Sequence, residues 1–117
     1  MSAMSEKPLE LKVEERGSAA VVHVKGSVSI ANAETMRRKL EELAGRKVPR
    51  IILDLSQMDF ICSTGLGAII NGHLKCRHHN GQLRLVNPQP AVRQLLETTR
   101  LTKLFPLYAS VEQATPA

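Results

Sequence analysis

The chain has 117 residues, 43% of them apolar and 23% charged, with a formal net charge of +5. That fits one globular domain with a real core and excludes disorder for the body of the chain. No apolar run approaches the roughly 20 residues of a membrane-spanning helix, and the polar start lacks a signal segment, so no direct membrane insertion is expected and the cytoplasm is the default location.

Residues 1–8 read as a disordered leader ending at Pro8, and residues 9–115 as the domain. Leu9, Leu11 and Val13 alternate with charged residues, the period of a half-buried strand. After the turn signal Gly17-Ser18, the run Ala20 to Val24 reads as a second strand paired to the first as a hairpin. Gly26-Ser27-Val28-Ser29 is expected to leave that strand. Asn32 predicts a helix N-cap whose side chain accepts a first-turn amide, and Ala33, Met36, Leu40, Leu43 and Ala44 share one helical face up to the stop at Gly45. On its outside, Arg37–Glu41 and Arg38–Glu42 are spaced to pair weakly. Ile51 to Leu55 suits a central strand covered on both faces, with Asp54 at its end and Asp59 in the turn that follows. Phe60-Ile61 carries the chain into Cys62-Ser63-Thr64-Gly65-Leu66-Gly67. Apolar residues at 66, 69, 70 and 74 then predict a helix over 64–79, ended by Asn80-Gly81. Leu83, Leu85 and Val86 form a further strand, and Pro88 and Pro90 open a helix with Val92, Leu95 and Leu96 inward. Leu104 to Tyr108 predicts a short edge strand, and Val111 to Ala114 a last helical turn. The alternation implies parallel pairing: an α/β domain whose mixed sheet of four to five strands is covered by three to four helices.

Leu53-Asp54-Leu55 followed by Phe60-Ile61-Cys62-Ser63-Thr64-Gly65-Leu66-Gly67 resembles the signature of the STAS family, which includes bacterial anti-sigma factor antagonists. That family's usual pattern is a buried strand ending in Leu-Asp-Leu, a short turn, then Phe-Ile-Asp-Ser-Ser/Thr-Gly-Leu-Gly at a helix start. Gly26-Ser27-Val28-Ser29 with Ala33 and Leu40 is similar to its Gly-x-Leu-Asp segment and first helix. Gly81 to Pro88, Val92, Leu95, Leu96 and Leu101 are similar to its C-terminal half. The resemblance covers roughly residues 9–115 and implies a single STAS-like domain.

It also implies a function. The family's antagonists bind an anti-sigma factor that is a serine kinase of the histidine-kinase-like ATPase type, and the serine after the signature Asp is phosphorylated. Ser63 occupies that position, with Thr64 as second choice. The implied contact surface is Ser29, Cys62, Ser63, Thr64, Gly65, Leu66 and Gly67. From the residues themselves, a serine at a helix start can cap amides, and Gly65 and Gly67 keep the surface low for a partner's backbone. The chain departs from the pattern twice: Cys62 replaces the Asp before the serine, and Ser29 replaces the Asp of the Gly-x-Leu-Asp segment. A domain that docks without phosphorylation, such as an accessory subunit bound to the ATPase of a membrane transport complex, stays open as the alternative.

Other chemistry finds little support. Cys62 and Cys76 make no disulfide framework, and a partly buried, unreactive Cys62 is a better reading than a redox sensor. His73, Cys76 and His79 lie three apart on one helix and make an incomplete ligand set, so no metal is expected. No loop has the Lys and spacing of a phosphate-cradling motif, and nothing orients a base toward Ser63, so neither a cofactor nor an enzyme activity is expected. Basic residues are scattered between Arg46 and Lys103, while Phe60, Phe105 and Tyr108 are isolated, which reads as a solvated basic face and not as a nucleic-acid surface.

Overall fold

A computed structural model describes residues 8–115, so most of the expected leader lies outside the described residues. The elements in chain order are β1 (Glu10–Arg16), β2 (Ala19–Val28), α1 (Ala33–Gly45), β3 (Arg50–Ile61), α2 (Ser63–Arg77), β4 (Gln82–Val86), α3 (Pro90–Thr98), a 3₁₀ turn (Leu101–Lys103), β5 (Leu107–Tyr108) and α4 (Val111–Ala114). One five-stranded sheet has its strands in sequence order. β1 and β2 form an antiparallel hairpin, and β2–β3, β3–β4 and β4–β5 are parallel. The expected single α/β domain with a mixed sheet is therefore what forms.

Alternation along the strands sorts the side chains into two layers. Val22, Val24, Ile51, Leu53, Leu55, Leu83 and Leu85 meet Met36, Leu40, Leu43, Ile69, Val92 and Leu96 in the main core. The opposite face is thinner: Ala19, Val21, Ile52 and Val86 are covered by Val111 and Ala114 of the short α4. Beyond that cover the same face turns polar. His23 Nδ1 lies 2.8 Å from Asp54 Oδ2 and its Nε2 lies 2.9 Å from Glu14 Oε1. The Glu14 hydrogen bond raises the His23 pKa above its ordinary value, against the opposing effect of burial, with Asp54 adding to the rise. Burial pushes the Asp54 carboxyl up, but hydrogen bonds from Ser56 and His23 outweigh it and leave the pKa lowered.

Several expectations change. Gly26 does not end β2: with φ of +96° it carries the strand through a register shift to Val28, a conformation glycine adopts without a Cβ penalty. β3 runs unbroken from Arg50 to Ile61, so Asp54 lies inside the strand and Asp59 is not in a turn. Arg37 pairs with Glu41 as expected, but Arg38 pairs with Glu34 and Lys39 with Glu42, so the Arg38–Glu42 pair does not form. In α2, Leu74 is exposed and the buried face is Gly65, Leu66, Ala68, Ile69, Gly72, His73 and Cys76. The apolar spacing at 66, 69, 70 and 74 misplaced that stripe, because small residues and a histidine fill positions where large apolar groups were sought.

Candidate functional site

β2 and β3 end side by side, with Val28 paired to Ile61 and the Cys62 N–H donating to the Val28 carbonyl at 2.9 Å. Two connections, Ser29–Asn32 and the single residue Cys62, therefore leave the same carboxyl end of parallel strands, the place where α/β sheets present their binding loops.

The first connection is built around Asn32. Its Oδ1 accepts the Ser29 N–H at 2.8 Å, and its Nδ2 donates to the Ser27 carbonyl at 3.0 Å. The Asn32 side chain thus does not cap α1, as the sequence suggested; it closes the loop that precedes the helix. Ser29 is buried, and its carbonyl accepts the N–H groups of Asn32 and Ala33. The loop tip is left facing out, with Ile30 80% exposed.

The second connection starts α2. Cys62, not Ser63, is the N-cap: it has extended backbone geometry, and its Sγ accepts the Gly65 N–H at 3.4 Å. A thiol is a weak acceptor, so this cap is softer than the carboxylate cap of an Asp. Ser63 is the first helical residue, and Ser63, Thr64 and Gly67 are exposed. Gly65 and Leu66 point inward. A Cβ on Gly65 would sit 2.7 Å from Val28 Cγ1 and 2.8 Å from Ile61 Cγ1, so Gly65 lets the first turn of α2 rest on the strand ends. The expectation that Gly65 keeps the outer surface low is corrected; only Gly67 lies on that surface. The first turn of α2 carries no acidic residue, whereas Lys75 and Arg77 lie in its last turn. The positive end of the helix dipole is thus left unneutralised beside Ser63, which favours an anion there.

Sequence reasoning missed two residues of this end. Phe60 is 50% exposed although it lies in β3, and with Ile30 it borders an open depression of about 310 Å³ that also touches Ser29, Ala31 and Cys62. Contiguous exposed apolar patches rimmed by polar groups are a feature of interaction surfaces. The available signal was an aromatic in a chain with 3% aromatics, together with an isoleucine in a short loop.

The remaining candidates do not converge. His73 is buried, its Nδ1 accepts the Leu83 N–H at 3.4 Å, and its ring meets Phe105 edge-on at 5.0 Å. Burial pushes the Cys76 thiol up to about 11. His79 Nε2 lies 3.2 Å from the Val48 carbonyl. Among the described residues, no three His, Cys, Asp or Glu side chains are grouped to hold a metal ion, and no helix is long and apolar enough to cross a membrane.

Comparison with known proteins identifies the domain. Residues 10–114 match the profile of the STAS domain. An anti-sigma F factor antagonist of Paenibacillus polymyxa is 25% identical over 86% of this chain and 86% of its own length. The crystal structure of an anti-sigma factor antagonist from Mycobacterium paratuberculosis superposes with a TM-score of 0.84 at 27% identity, covering 92% of this chain and 91% of that one. Murine solute carrier 26 family member A9, an anion transporter, is similar with a TM-score of 0.71 at 20% identity, over 86% of this chain but 18% of the transporter; that likeness is one of fold alone.

Proposed function

The chain belongs to the STAS domain family, and on that premise we propose that it is an anti-sigma factor antagonist docking a kinase-type anti-sigma factor through the end of the sheet where β2 and β3 finish. The observation that carries this reading is that exposed Ser63 and Thr64 open α2 directly after Cys62, which borders the depression flanked by exposed Ile30 and Phe60. Ile30 and Phe60 supply the apolar anchors, Ser63 and Thr64 the polar contacts, and Gly67 a low point along the helix. Gly65, Leu66 and Ser29 form the floor that holds these groups in place.

Ser63 is the phosphoacceptor in this reading. A phosphate there adds about −1.5 to −2 charges, and the first turn of α2 has no carboxylate to repel it. The helix dipole favours it by roughly 0.3–1 kcal/mol. A partner carboxylate about 6 Å away repels each unit of that charge by roughly 2.8 kcal/mol at an effective dielectric near 20. Repulsion across the interface wins, so phosphorylation releases the partner while the domain stays folded. Because neither Cys62 nor Ser29 supplies a carboxylate, the kinase must find Ser63 through the shape of the turn and the apolar pair, not through acidic neighbours. A role as accessory subunit of a membrane transport complex draws on likeness of fold alone and is not favoured.

The test is incubation with the cognate kinase and ATP, followed by intact-mass measurement. One added phosphoryl group, lost in Ser63→Ala and retained in Thr64→Ala, is the expected result. No added mass, or mass retained in Ser63→Ala, would contradict the assignment.

A further inference from the structure

The far end of α2 borders a second depression, of about 420 Å³, whose wall includes His73, Arg77, Gln82, Arg84 and Lys103. Helical rise places it about 21 Å along the helix from Ser63. No carboxylate lines it, and its charged side chains are all cations. They come from three elements: Arg77 from α2, Arg84 from β4, and Lys103 from the turn before β5.

Three side chains on this wall are held so that they offer donors. The Leu83 N–H donates to His73 Nδ1 at 3.4 Å, which fixes the remaining ring nitrogen, Nε2, as an N–H in the neutral tautomer. Burial, with a further contribution from Arg77, lowers the His73 pKa, which favours the neutral ring. The Gln82 side-chain oxygen accepts Arg84 Nε at 3.2 Å and Nη2 at 3.0 Å, so the amide leaves its N–H groups for another partner. Arg84 is itself held, donating from Nη1 to the Ala114 carbonyl at 2.7 Å and lying 5.3 Å from the centre of the Tyr108 ring. β5 pairs only with Leu85 and Val86, so β4 has no strand beside Gln82 to Arg84 on that side, and the depression occupies the open edge.

Donors from three elements that border one depression lined by no carboxylate suit a compact tetrahedral polyanion, which offers acceptor oxygens in every direction. We propose that this depression binds the phosphoryl group of a small molecule, with His73, Arg77 and Lys103 as its contacts and Gln82–Arg84 as a fixed wall. The volume lies in the range of small-ligand sites. This site is separate from the docking surface and does not depend on that reading.

The experiment is a titration of the full chain with pyrophosphate at constant ionic strength, followed by backbone amide and histidine-ring NMR. Saturable shifts centred on His73, Arg77, Gln82 and Lys103 are expected. Arg77→Gln and Lys103→Gln, both at exposed positions, should each weaken binding about tenfold, as loss of one charge-assisted contact implies. The proposal is overturned by shifts that do not saturate, by shifts spread equally over Arg46, Lys47 and Arg50, or by an equal response to chloride. Citrate binding as tightly as pyrophosphate would also overturn it, since the assignment is to a phosphoryl group.

Discussion

Gly65 and Gly67 lie two residues apart in the first turn of α2, yet alanine should act on them with opposite sign. At Gly65 a new Cβ would lie 2.7 Å from Val28 Cγ1 and 2.8 Å from Ile61 Cγ1, about 1 Å inside ordinary carbon–carbon contact. Val28 and Ile61 are 0% and 2% exposed, and the atoms struck are γ-carbons of β-branched side chains, whose stiff χ1 and buried surroundings leave them little room to swing aside. Overpacking of this kind costs about 3 kcal/mol at the upper end of its usual range. Helix propensity returns about 1 kcal/mol, leaving Gly65→Ala about 2 kcal/mol less stable. At Gly67 nothing lies within 4 Å of the added carbon, so alanine should stabilise by about 0.4–1 kcal/mol. At roughly 4 °C per kcal/mol for a domain of this size, melting should fall by about 8 °C in Gly65→Ala and rise by about 2–4 °C in Gly67→Ala. Urea and thermal unfolding of the three proteins measure this. Equal stability of Gly65→Ala and the parent, or shifts of the same sign at both positions, would refute the packing argument.

The histidines should titrate in a fixed order by NMR: His23 above its ordinary value of 6.5 and His73 below it. The His23 contribution to stability is complete below 6.5 and is lost as pH rises through its folded-state pKa, whereas that of His73 is lost as pH falls through its own; the reverse order of midpoints would refute both environments. A thiol reagent in excess at neutral pH should label the native protein at partly buried Cys62 faster than at buried Cys76, checked by mass after digestion. Ile30→Ser and Phe60→Ser should unfold within about 0.5 kcal/mol of the parent, as surface substitutions do, while each weakens partner binding at least tenfold in a calorimetric titration.

Much of the architecture was readable before the structure, because period-two and period-3.6 patterns report burial directly. The element order, the parallel core and the last helical turn were readable in this way, whereas the edge strand expected over Leu104 to Tyr108 forms only at Leu107–Tyr108. What spacing could not report was side-chain alternatives of equal range. Asn32 beside a helix start reads as a cap, but its amide found the backbone of Ser27 and Ser29, leaving the α1 terminus without it. Gly26 reads as a break, yet its positive φ continues β2 through an irregularity. At the site, Ser63 and Thr64 were located by resemblance, while Ile30 lay outside the matched motif and Phe60 lay inside it without being marked as a contact. Apolar residues in strand and loop positions look like core until the neighbours that fail to cover them are known.

The central claim is that the Ser63 end of the sheet docks a kinase-type anti-sigma factor and that a phosphate there releases it. The direct measurement is a calorimetric titration of that partner with the unphosphorylated chain and with the chain phosphorylated at Ser63. With about 1.5 charges set against one partner carboxylate, repulsion of about 4 kcal/mol predicts binding weakened roughly a thousandfold. Equal affinity of the two forms would contradict the account.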